Sequence, residues 1–115
     1  MSPLDCRFPD WVLQKIIDEA TIYFCGCPAQ VCKQIVHLRQ LYEYQRECSA
    51  KVNELTAESH RLIAAATAHA HAELEECLGR VLEVEGWDRT TYNMPPGLRA
   101  LQTGEVARWQ SKGGQ

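Results

Sequence analysis

Between Ala29 and Leu78 the chain contains neither proline nor glycine. Over that run an apolar set recurs at Leu41, Tyr44, Cys48, Val52, Leu55, Ser59, Leu62, Ala66, Ala70, Leu74, Cys77 and Val81, in steps of three and four. That is the period of one face of an α-helix, and it leaves little room for strands. A single helix from Pro28 to Val84 would be roughly 85 Å long at 1.5 Å per residue. Helices average about 11–12 residues, so this stretch needs either a break or a coiled-coil partner. The break is expected between Asn53 and Ser59: Asn53 suits a left-handed cap, and Thr56 and Ser59 suit an N-cap.

An earlier helix is predicted from Pro9 to Phe24. Pro9 and Asp10 fit a first turn, with Asp10 placing negative charge at the positive helix end. Trp11, Leu13, Ile16, Ile17, Ala20 and Phe24 form its apolar stripe. Gly26 stops it, and Pro28 suits the first turn of the next helix. From Glu85 onward Gly86, Asn93, Pro95, Pro96 and Gly97 interrupt regular structure, while Leu98, Leu101, Val106 and Trp109 have the spacing of a short docked helix. The expected fold is therefore all-α: a bundle domain over 1–84, made of a helical hairpin and a long third helix, with an irregular tail over 85–115. Trp87, Tyr92, Met94 and Trp109 are expected to dock that tail onto the bundle.

A length of 115 residues is that of one domain. The formal charge of -3, with basic residues dispersed among fifteen acids, lacks the clustered cationic surface that nucleic-acid binding requires. The opening residues Asp5, Arg7 and Asp10 do not resemble a signal peptide, and no stretch approaches the ~18 apolar residues of a membrane span. A cytoplasmic, reducing setting is the expectation, in which six cysteines point to metal ligation, redox chemistry or core packing before a disulfide framework.

Three of the six crowd into the turn Cys25-Gly26-Cys27-Pro28-Ala29-Gln30-Val31-Cys32. A helix N-terminus offers unpaired N–H groups and positive partial charge, which favour thiolate, the form that binds metal. Folding back near Thr56 brings Cys77 to within about one helical turn of Cys32. A soft-metal site of Cys25, Cys27, Cys32 and Cys77 follows as an expectation, holding an iron–sulfur cluster, zinc or copper, with Cys6 and Cys48 as a separate pair. Its roles would be electron transfer, metal handling or redox sensing. The alternative is a cofactor-free helical interaction module or accessory subunit, assembling with a protein partner or a second copy through its long amphipathic helices. A thiol redox protein using Cys25 or Cys27 is a third reading.

Other groupings carry less. His69, Glu73 and Cys77 share a helical face and His71 falls two residues off it, but His69 and His71 both read as surface residues, as do His37 and His60. Glu73, Glu75 and Glu76 read as a solvated acidic face. Of Tyr42 and Tyr44, one is expected in the core. No Gly-rich phosphate loop or dinucleotide fingerprint occurs in the sequence.

Overall fold

In a computed structural model, which describes residues 1–22, 26–49 and 54–98, the chain is an all-α bundle of three long helices. The first, α1, spans Asp10–Ile22. The Pro9 carbonyl accepts the amides of Val12 at 3.0 Å and Leu13 at 3.3 Å, so Pro9 closes the helix start and Asp10 lies in its first turn. The second, α2, spans Cys27–Ser49, with Pro28 in its first turn, where its missing N–H costs nothing. The third, α3, spans Glu54–Glu85. The long stretch is thus two helices, and they part earlier than the sequence suggests: α2 ends at Ser49 and α3 begins at Glu54, so Thr56 and Ser59 lie inside α3. Asn53 and Phe24 lie outside the described residues, as do Leu101, Val106 and Trp109.

α2 sits between the other two helices and packs on both. Val12, Leu13, Ile16 and Ala20 of α1, Ala29, Cys32 and Ile35 of α2, and Leu78 and Leu82 of α3 form one apolar core, which Phe8, Trp87 and Met94 complete. Trp11, expected on the buried stripe of α1, is exposed and stands edge-on to Tyr92 at 5.9 Å between ring centres. Val12 takes its place in the core.

The end of α3 is built by Gly86, whose φ of +78° is the left-handed conformation glycine adopts freely. The amide of Trp87 then reaches back to the Leu82 carbonyl at 2.9 Å, the six-to-one bond of a Schellman cap. The chain turns at Asp88, whose Oδ1 accepts the amides of Thr90 and Thr91. These two bonds hold the Asp88 carboxyl below its ordinary pKa. The returning segment buries Trp87 and Met94, as the aromatic and apolar content of the tail suggested. The Met94 amide donates to Glu19 Oε1 of α1 at 3.0 Å, and residues 96–98 are again helical.

The largest departure from the sequence reading concerns which faces are inside. Of the predicted stripe, Leu41, Tyr44, Leu55 and Leu62 are exposed, as are Ala66, Ala70 and Cys77. α3 instead buries Ala64, Thr67, His71, Glu75, Leu78 and Leu82. These residues follow the same three-and-four period, and five of the six stand one position after a residue of the predicted stripe, on a face turned by about 100°. α2 buries Tyr42 and Gln45 beside its apolar residues. Tyr42 is the core tyrosine of its pair, and its hydroxyl donates to the Ser2 carbonyl at 2.7 Å.

Candidate functional site

The cysteines divide by environment. Cys27 is exposed at the start of α2, and Cys25 lies outside the described residues. Cys32, one turn further on, is fully buried among apolar side chains. Burial pushes its thiol up to about 12, against smaller lowering by the Arg39 cation and a backbone hydrogen bond. At neutral pH it is a protonated thiol.

The contact between Arg39 and His71 sets the alignment of α2 against α3 and puts Cys32 level with Leu78, which shares its core. Cys77, one residue earlier, is turned by about 100° and faces solvent. Among the described residues no three His, Cys, Asp or Glu side chains gather as a metal-holding group. Cys6 and Cys48 both carry free thiols. Cys6 donates to the Leu4 carbonyl at 3.6 Å, and Cys48 neighbours the Tyr44 hydroxyl one turn away.

A polar cluster that the sequence did not reveal occupies the α2–α3 interface. Glu75 is buried, and its Oε2 accepts the amides of Arg7 at 2.8 Å and Phe8 at 2.9 Å. Arg39 closes on the same carboxylate with Nη2 at 3.1 Å and donates to the Phe8 carbonyl at 2.5 Å. Its Nη1 reaches Asp10 Oδ1 at 2.6 Å, and its Nε–H donates to Nε2 of His71 at 3.0 Å. His71, expected at the surface, is only 1% exposed. Its pKa is lowered chiefly by burial, with the Arg39 cation adding to that and Glu75 and Asp5 opposing it. The 3.5 Å from His71 Nδ1 to Glu75 Oε1 is too long for a hydrogen bond and acts through charge alone.

The acidic face therefore splits. Glu75 faces inward, while Glu76 stays outside, where it holds Arg80 at 3.1 Å and Arg7 at 3.0 Å and is kept below its ordinary pKa by both. The inward arrangement pins residues 7–10 across both helices. Each of its charges meets an opposite charge or a backbone group within the fold, as a structural clamp requires. His37 and His69 are exposed, as expected.

Turned by more than a quarter circle from the buried face of α3 lies the feature the predicted stripe had traced. Leu55 is 91% exposed, Val84 86% and Leu62 63%. Ala66, Ala70 and Cys77 lie along the same line. The line runs about 43 Å from Leu55 to Val84 at 1.5 Å per residue. Elsewhere on its surface α3 carries two ion pairs, Glu58 with Arg61 and Glu76 with Arg80. A surface helix normally confines its apolar residues to the side that packs inward, and α3 carries them on two sides.

Among the described residues no helix is long and apolar enough to cross a membrane. No family model, no curated protein and no solved structure matches the chain.

Proposed function

We propose that the chain is a helical interaction module that assembles through the outward face of α3. The observation that carries this reading is the run of exposed Leu55, Leu62 and Val84 along one side of a helix whose other side is already packed. Large apolar side chains left exposed in line on one helix face are typical of protein-binding faces. The buried polar cluster supports the same reading. It fixes α3 against α2 without drawing on the outward residues, so the free face is presented on a rigid helix.

The test is the double substitution Leu62→Glu with Val84→Glu in the full chain. Because neither side chain packs within the fold, the variant should keep the helicity and melting temperature of the monomer and lose association, read by light scattering against the 13.0 kDa chain mass. A monomer that melts earlier after this change would mean that the stripe serves the fold itself, and the reading would fall.

A metal-thiolate role for Cys25, Cys27, Cys32 and Cys77 is the second reading, favoured by the exposure of Cys27 at a helix start. It requires Cys32 to leave the apolar core or yield its place as a ligand. Iron, zinc, copper and acid-labile sulfide contents of protein purified without oxygen decide it.

A further inference from the structure

We infer that residues 1–7 form an acid-released strap, hinged at Phe8 and latched by the contact between Arg39 and His71. The strap crosses α2 and α3 with little apolar anchorage: Leu4 is half-buried, and its other residues are exposed. Polar bonds hold it instead. Tyr42 donates to the Ser2 carbonyl at 2.7 Å, Glu75 Oε2 accepts the Arg7 amide at 2.8 Å, and Arg7 Nη1 reaches Glu76 at 3.0 Å on the surface. Phe8, by contrast, is buried in the core, and its amide and carbonyl meet Glu75 and Arg39. A crevice of about 390 Å³ already runs between the strap and the helices, lined by Tyr42, Ala68 and Ala72 and reaching Glu75. A segment with so few buried apolar contacts opens at less cost than the helices beneath it.

The latch lies where added acid sets two donors face to face. Arg39 donates its Nε–H to Nε2 of His71 at 3.0 Å, and the same planar guanidinium carries Nη2 to the Phe8 carbonyl and to Glu75. A proton arriving from solvent at Nε2 opposes N–H to N–H and cation to cation. Arg39 must then turn, and because its fork is rigid, Nη2 leaves its acceptors together with Nε. Glu75 has another partner within reach. Its Oε1 stands 3.5 Å from His71 Nδ1, and a charged imidazole draws it toward the roughly 2.7–2.9 Å of a charge-assisted bond. That motion takes Oε2 off the amides of Arg7 and Phe8.

The charges around His71 come from every neighbouring element: Glu75 from its own helix, Arg39 from α2, Asp5 from the strap, and Asp10 of α1 through its pair with Arg39. Glu75 and Asp5 favour the proton, and burial with Arg39 outweighs them, so the closed ring is neutral. Opening returns the ring to solvent and to its ordinary affinity for a proton. The closed strap is therefore fully favoured above pH 6.5 and loses ground to the open one as pH falls below it. The helices stay folded through this opening, which distinguishes it from acid unfolding of the whole bundle.

Hydrogen exchange of the full chain, followed by NMR between pH 7.5 and 5 and divided by the intrinsic rate of each amide, tests the switch. The amides of Arg7 and Phe8 should be less protected than that of Ile16 in α1 at every pH. Their protection should fall by at least about threefold across the range. His71→Asn should hold it constant, and His71→Gln, which also offers Arg39 an acceptor, serves if the first variant does not fold. Equal protection at Arg7, Phe8 and Ile16 would mean that the bundle opens as one unit and would overturn the strap. Protection at Arg7 and Phe8 that ignores pH overturns the latch. So does a pH response that survives in the variants, which would belong to His37, His60 or His69.

Discussion

The side chain of Arg39 donates its Nε–H to Nε2 of His71 across the α2–α3 interface at 3.0 Å, fixing the buried imidazole as the neutral Nδ1–H tautomer. A guanidinium cannot accept a proton or lose one at accessible pH, so it enforces this state on the histidine. One contact thus determines both a charge state and the alignment of two helices.

Stability should depend on that charge state. The folded-state pKa of His71 lies below its ordinary 6.5, so above pH 6.5 the imidazole is neutral in both states and the fold has its full stability. As pH falls below 6.5 the unfolded chain takes up a proton that the buried ring refuses, and stability declines until the folded pKa is passed. Arg39 opposes protonation, whereas Glu75 and Asp5 favour it. Urea titrations between pH 7.5 and 5 should show this loss, and His71→Asn, which keeps an acceptor for Arg39, should flatten that part of the profile. Identical slopes for the two proteins would remove His71 as the origin.

Glu75 should be the costliest polar residue to truncate. Glu75→Ala strands the Arg39 guanidinium and two backbone amides in the interior and should cost about 3–5 kcal/mol of unfolding free energy, as breaking a buried pair does. Glu75→Gln keeps an acceptor oxygen and should cost less. Denaturant unfolding gives both values, and a loss under about 1 kcal/mol for the alanine variant would contradict a buried clamp.

The thiols should separate by reactivity. At pH 8 an alkylating reagent should modify exposed Cys77 promptly and leave Cys32 untouched, because Cys32 is buried and its thiol is raised to about 12. Labelling of Cys32 should follow unfolding and vanish as the protein is stabilised. Rapid labelling in the native state would mean that the α2 start opens locally.

The helices and their punctuation were readable in the sequence because local chemistry sets them. Pro9 with Asp10 marked the start of α1, Pro28 fell in the first turn of α2, and the aromatic content of residues 87–94 announced a docked tail. The inward face of α3 was not readable. Periodicity selects the most apolar side of a helix, which here is the outer one. The inner side carries Thr67, His71 and Glu75, whose burial makes sense only once Arg39 and the amides of Arg7 and Phe8 are known to meet them. Those partners are 32, 68 and 67 residues away in the chain, beyond any local signal. For Cys32 and Cys77 the spacing addresses only their level along the bundle. What spacing leaves undetermined is rotation, and about 100° separates Leu78 in the core from Cys77 in solvent.

The amides of Arg7 and Phe8 find their acceptor on Glu75, and Glu19 receives the amide of Met94. Both links run from the first fifth of the sequence to its second half. A ribosome that has released only α1 and α2 therefore holds a chain whose Arg39 and Phe8 still lack their common carboxylate. The native arrangement cannot close until Glu75 has emerged, and it is not secured until Met94 has followed. Closing such distant contacts carries a loop-entropy cost before any reward, which slows folding. Nascent chains truncated just before Glu75 should accordingly be protease-sensitive throughout, a helical protein behaving during synthesis as though its topology were far less local than its secondary structure implies.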